Sequence, residues 1–189
     1  MIPSVETCFH LMEQYNMLEN IKAHSIMVAR AASLIANGLC GAGFDISVKK
    51  TVAGALMHDI GKTLSLASGE DHAELGKIIC LENNLVEVSD IVGEHIVLKD
   101  FEVNGTYSEK EIVFYADKRV NHDAIVTLEE RLAYILERYG KNHIDLRTRI
   151  KVNFEMCKRV EEKLFRNLEF HPGSLARLVK NGKQLYNYY

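Results

Sequence analysis

Along most of the chain, apolar residues recur at three-, four- and seven-residue intervals, and on several of these stripes one position is a histidine or an aspartate. Such intervals repeat on one side of a 3.6-residue helix, and strand-like alternation is hard to find. His24 shares its face with Val28, Ala31 and Ile35; His72 with Leu75, Gly76 and Ile79; His95 with Ile91, Val92 and Leu98; Asp117 with Val113 and Val120. The pattern predicts an all-α fold with these polar side chains pointing inward. Taken singly, a histidine on an apolar stripe is usually a hydrogen-bonded core residue. His24, His58, Asp59, His72 and His95, followed by Asp117, are all of metal-ligand type, and such groups are costly to bury without partners. Together they point to a buried metal site.

The centre of the set is Leu56-Met57-His58-Asp59-Ile60-Gly61-Lys62, closing the apolar stretch Val52-Ala53-Gly54-Ala55. Here the chain resembles the HD-domain metal-dependent phosphohydrolase superfamily in its HDIG form. The order His24, His58-Asp59, Asp117 is similar to that superfamily's His, His-Asp, Asp ligand pattern. His72 and His95 match the two further histidines of its dinuclear members. The resemblance covers roughly residues 20 to 140, departs from the pattern at no ligand position, and implies an HD-domain helical bundle around the metal site. His122-Asp123 repeats the letters of the doublet but follows Asp117 at once, and is assigned to a connection between elements.

The resemblance implies that His24, His58, Asp59 and Asp117 hold a first divalent ion, with Asp59 bridging to a second held by His72 and His95. Spacing alone does not make the six residues converge. Imidazole and carboxylate donors suit Fe or Mn best, with Zn, Co, Ni or Mg also accommodated, and the lack of cysteine among them argues against a structural zinc site. Two ions roughly 3.5–4 Å apart would activate a hydroxide and neutralise phosphoryl oxygens during in-line displacement. The implied activity is hydrolysis of a phosphoester of a small molecule, with a nucleotide the favoured class. Asp59 and Lys62 are the catalytic candidates. Lys62 resembles the superfamily's phosphate-contacting lysine, and Lys118 and Arg119 are further candidates for substrate anions, although neighbouring helical residues do not both share the face of Asp117.

Two other functions fit the same residues. Some members of the superfamily use a similar six-ligand site as di-iron oxygenases. A regulatory module that binds a nucleotide without turnover is the third reading, and the retention of all six ligand positions argues against it.

Composition sets outer limits. With 189 residues, 47% of them hydrophobic, the chain is long enough for one sizeable core. The expected organisation is an HD domain over residues 1–142 and a helical extension over 143–189 packed on the same domain, which permits a homodimer without requiring one. No run of 18 apolar residues and no basic start is present, so neither a membrane span nor a signal peptide is expected, and a cytoplasmic location is the default. A formal charge of -3 offers no bulk attraction to nucleic acid or to a membrane. Cys8, Cys40, Cys80 and Cys157 form no Cys-x-x-Cys pair and read as reduced core thiols.

Helix boundaries are marked by Ser4, Ser47, Asp71, Ser108 and Thr127 as N-caps, by Ser89 or its neighbours, and by exits at Gly38 to Gly43 and Gly140. The loop Lys99 to Ser108 is expected to edge a substrate entrance. Glu94 reads as solvent-facing, and Arg131, Tyr134, Arg138 and Tyr139 as a mixture of surface and packing.

Overall fold

In the computed structural model, which describes residues 1–140 and 144–181, the chain is helical almost throughout. The helices are α1 (Val5–Gln14), α2 (Glu19–Gly41), α3 (Val48–Met57), α4 (Lys62–Ser68), α5 (His72–Glu82), α6 (Val86–Glu94), α7 (Glu109–Lys118), α8 (Leu128–Tyr139), α9 (Ile144–Phe165) and α10 (Leu175–Asn181). Between α7 and α8 lies a two-stranded antiparallel hairpin, β1 (Val120–Asn121) and β2 (Ala124–Ile125), with Val120 opposite Ile125. The all-α class follows from the inward stripes. Val28, Ala31 and Ile35 of α2, Val113 of α7 and Ile91 and Val92 of α6 are all buried.

Helix α3 is the central element. Every residue from Thr51 to Gly61 is buried, so beyond its first turn the helix is enclosed by others on all sides. The small residues Ala29, Ala32 and Ala36 of α2 are also fully buried and let that helix lie close. Gly54 has the same role toward α6, since a Cβ there would stand 2.6 Å from Ile91 Cγ2. Burying these stripes provides most of the stability, at about 1.5–3 kcal/mol per large apolar side chain.

Capping accounts for the starts. Ser4, Ser47 and Ser108 each accept from the backbone N–H three residues on, Asp71 accepts from Ala73 and Glu74, and Thr127 with Glu130 forms a reciprocal capping box. Helix α6 differs from expectation. It begins at Val86, and Ser89 lies inside it with its hydroxyl donating to the Val86 carbonyl, the local alternative open to a serine. Helix α4 and the hairpin are too short to leave a periodic signal.

The C-terminal helix α9 buries Phe154, Cys157, Val160 and Leu164 and packs on α7 and α8. Two ion pairs tie it to α7 and to Arg119 just beyond that helix. Lys163 bonds Glu111 at 2.7 Å, and Arg119 lies 3.2 Å from Glu161. All four cysteines are free, and burial pushes the thiols of Cys8, Cys80 and Cys157 up to about 12. No described helix is long and apolar enough to cross a membrane. His143 and the tyrosine-bearing tail beyond Asn181 lie outside the described residues.

Candidate metal centre

Five elements deliver the six ligand-type residues to one place. His24 comes from the second turn of α2, His58-Asp59 from the C-terminal end of α3, His72 from the first position of α5, and His95 from the C-cap of α6. Asp117 comes from the last turn of α7. The turn Ile60-Gly61 directs the chain from α3 into α4 and brings it against α5. A Cβ on Gly61 would collide with the carbonyl of His72 and stand 2.6 Å from the nitrogen of Gly76. Only glycine permits that backbone approach.

Ligand-type atoms of His24, His58 and Asp59 lie within 4.8 Å of one another, and so do those of Asp59, His72 and His95. Asp59 is the member common to both groups. Asp117 Oδ1 stands 3.0 Å from His24 Nε2 and 3.8 Å from His58 Nε2. Asp59 Oδ1 stands 3.2 Å from His72 Nε2 and 3.6 Å from His95 Nε2.

The imidazole tautomers follow from their outer partners. His24 Nδ1 faces the His122 carbonyl at 3.0 Å, His58 Nδ1 the Ala55 carbonyl at 2.6 Å, and His95 Nδ1 the Val92 carbonyl at 2.6 Å. A carbonyl only accepts, so each Nδ1 carries a proton and, in the tautomer usual for a ligating histidine, the Nε2 lone pair faces the centre. The inner contacts then join acceptors to acceptors. His24 Nε2 meets a carboxylate oxygen. His58 Nε2 and Asp59 Oδ1 are buried with no hydrogen-bond partner at all. Acceptors so gathered need protons or a cation between them. The donor set fits divalent ions.

Electrostatics agree. Burial pushes the His58 imidazole down to about 3, so it is neutral at physiological pH. Burial by itself would raise Asp59 and Asp117. The ammonium of Lys62 beside Asp59, and Lys118 with Arg131 beside Asp117, hold the two carboxyls well below the ordinary range.

The centre lies in a cleft of about 520 Å³, a volume suited to a small molecule. Lys62 Nζ bonds Asp59 Oδ2 at 2.8 Å, and the side chain remains 34% exposed at the cleft. Lys118 also lines the cleft, donating to the His95 carbonyl and to Asp117 Oδ2 at 3.2 Å.

Arg119 is not brought to the cleft. Its guanidinium is 5% exposed and donates to Tyr115, to Glu161 at 3.2 Å, and to the Val126 and Pro172 carbonyls at 2.7 and 3.1 Å. Glu94 is buried rather than solvent-facing, accepting from Lys110 at 3.1 Å and from the Lys99 backbone at 3.1 Å. The loop Lys99 to Ser108 contributes nothing to the cleft lining. It lies beside α9, where Tyr107 donates to the Lys163 carbonyl at 3.1 Å.

Residues that spacing did not single out take those places. Arg131, Tyr134, Arg138 and Tyr139 of α8 all line the cleft, as do Ile150, Asn153 and Phe154 of α9. Arg131 lies 3.6 Å from Asp117 Oδ1 and bonds Asn121 Oδ1 at 2.8 Å, and its buried Nε has no partner. The signal was the row Arg131, Tyr134, Ile135, Arg138 and Tyr139 at three-, four- and seven-residue spacing, a face too polar to read as core.

An all-α bundle with such a centre defines a class, and the comparisons with known proteins agree. Residues 21–122, more than half of the chain, match the family model of the HD domain, and the chain belongs to that family. HD domains are found in the metal-dependent phosphohydrolase superfamily. An uncharacterized protein of Methanocaldococcus jannaschii is 26% identical over 151 residues, covering 73% of this chain and 88% of that protein. Ribonuclease Y of Treponema pallidum is 37% identical over 78 residues, covering 41% of this chain and 14% of the ribonuclease. No solved structure matches.

Proposed function

We propose that the protein is a metal-dependent phosphohydrolase acting on a phosphoester of a small molecule, with a nucleotide the favoured class. One observation carries the proposal. Two groups of ligand-type atoms share Asp59 at the floor of a cleft whose other side chains include Lys62, Lys118 and Arg131. In this reading His24, His58, Asp59 and Asp117 would hold one divalent ion and Asp59, His72 and His95 a second, with iron or manganese favoured. Divalent ions in this cage supply Lewis acidity toward a water nucleophile and toward the phosphoryl oxygens.

The chain's own residues do the rest. The Nδ1–H bonds to main-chain carbonyls fix the three rings and turn Nε2 to the centre. Lys62, kept charged by Asp59 and partly exposed, binds a phosphoryl oxygen, and Lys118 and Arg131 add positive charge beside Asp117. In the overall reaction the water oxygen bonds to phosphorus, the ester P–O bond breaks, and the departing oxygen takes a proton. Likeness to a ribonuclease supports phosphoester chemistry. Net charge -3 and the size of the cleft favour a small substrate over a polyanion.

Phosphate release from a panel of nucleotides and phosphate esters, with added manganese or iron, tests the proposal. Release by the wild type that is lost in Asp59→Ala is the expected result. Full activity in Asp59→Ala overturns it. Substrate-dependent dioxygen consumption by the iron-loaded protein would point instead to oxygenation, and tight nucleotide binding without product to a regulatory module.

A further inference from the structure

Helix α8 lies outside the residues that match the family, yet it forms one wall of the cleft. Its cleft-facing row carries two arginines seven residues apart, two helical turns or about 10 Å along the axis. Arg131, the nearer, is engaged with Asp117 and Asn121. Arg138 differs from every other cation of the cleft. Lys62, Lys118 and Arg131 each have a carboxylate beside them, whereas no carboxylate among the described residues pairs with Arg138. Its partners are two neutral hydroxyls, with Nε at 3.2 Å from Tyr139 Oη and Nη1 at 3.3 Å from Tyr134 Oη.

The group is ordered by aromatic contacts. The Arg138 guanidinium stands 5.6 Å from the centre of the Tyr139 ring, and the Tyr134 ring is flanked by His122 at 5.4 Å and Arg131 at 5.8 Å. A guanidinium stacked on a ring is pre-organised for a bidentate anion and loses little freedom on binding one. Arg138 is exposed, and the two tyrosines that meet its guanidinium come from its own helix.

We infer that Arg138, with the hydroxyls of Tyr134 and Tyr139, forms a second anion subsite in the cleft, and that the substrate is a phosphoester bearing a further phosphate or carboxylate group. This inference rests on the hydrolytic reading of the metal centre for the identity of the first group. The subsite makes Arg138 a specificity-determining residue. It touches the part of the substrate that does not react, so its effect falls on affinity and not on the turnover of bound substrate.

The test is calorimetric titration of the metal-loaded protein with turnover-resistant pairs that differ in the second anion alone. Adenosine 5′-phosphorothioate and adenosine 3′,5′-bisphosphorothioate make the phosphate arm, and hexylphosphonate and 6-phosphonohexanoate the carboxylate arm. In wild type, the doubly anionic member of at least one pair binds about tenfold more tightly or better, the range of a charged hydrogen bond. Arg138→Gln removes that preference and leaves the singly anionic member within about twofold, and Arg138→Lys restores part of it. No preference in either arm, or an Arg138→Gln effect equal on both members, overturns the inference. Phosphate release assayed in parallel keeps the two readings apart. Arg138-dependent preference without hydrolysis of any ester sinks the hydrolytic reading alone, and hydrolysis without preference sinks the subsite alone.

Discussion

The Nδ1–H of His24 donates to the main-chain carbonyl of His122 at 3.0 Å, across 98 residues of chain. The bond sets the tautomer of His24 and turns its Nε2 toward Asp117. His122 therefore serves the centre through its backbone while its ring lies against Tyr134. Its φ of 52° places it in the left-handed region at the tip of the β1–β2 hairpin, a conformation that asparagine tolerates well. His122→Asn is expected to leave metal stoichiometry unchanged, whereas His24→Asn reduces it. Metal analysis after gel filtration decides the point, and loss of metal in His122→Asn would mean that the imidazole itself is a ligand.

Asp59 is the member common to both ligand groups, so its loss should exceed that of any single histidine. Asp59→Ala is expected to lose all tightly bound metal, and His72→Ala to lose only what depends on the second group. Activity should fall by more than about 100-fold in Asp59→Ala, the upper range for merely disturbing a partner of a ligand. Equal losses in the two variants would argue against a shared carboxylate.

Gly61→Ala places a methyl group against the backbone of α5, where neither the His72 carbonyl nor the Gly76 nitrogen can give way. Overpacking of this kind costs about 1–3 kcal/mol, or roughly 2–12 °C in Tm for a chain of this size. Because the displaced segment begins with His72, metal affinity should drop as well. Gly41→Ala, with nothing within 4 Å of the added methyl, is the control and should leave Tm unchanged or slightly raised. Calorimetric Tm values for the two variants would be read together.

The buried His58 makes stability pH-dependent. Folded His58 stays neutral until about 3, against 6.5 for the ordinary imidazole, so below pH 6.5 the unfolded chain binds one proton more. Its stabilising contribution is therefore complete above 6.5 and lost as pH falls, with a slope of up to about 1.4 kcal/mol per pH unit. Asp59 and Asp117, both held well below 3.8, add to the loss in the same direction below about pH 4. Urea unfolding of the metal-free protein at pH 7, 6, 5 and 4 measures this, and constant stability from pH 7 to 5 would contradict a neutral buried His58.

Arg119 is expected to act on stability alone. Arg119→Ala leaves Glu161 and the Tyr115 hydroxyl without their guanidinium partner, at a cost of roughly 2–4 kcal/mol for a mostly buried network. Substrate KM should not change once the variant is folded. A raised KM with unchanged stability would return Arg119 to the substrate site.

Local pattern made much of this protein legible. The stripes around His24, His72, His95 and Asp117 define helices, and the caps at Ser4, Ser47, Asp71, Ser108 and Thr127 define where they start, because both depend on neighbours three or four residues away. Short elements escaped. α4 has seven residues and the hairpin strands two each, less than the span a period needs to declare itself. Glu94 was misplaced for a related reason, since a charged letter reads as surface until Lys110 is seen to meet it, and nothing local shows that Arg119 turns to Glu161 and not to the cleft.

The chain's own order of residues thus determined the fold class and the kinds of donor atom available to a metal, as both are properties of periodicity and side-chain chemistry. Only the tertiary structure decided that Asp59 stands between two groups, that the His122 carbonyl orients His24, and that α8 rather than the Lys99–Ser108 loop forms the cleft wall. Those relations join segments as far as 98 residues apart. Their geometry is set by helix packing, in which Gly54 and Gly61 allow approaches that no local pattern encodes.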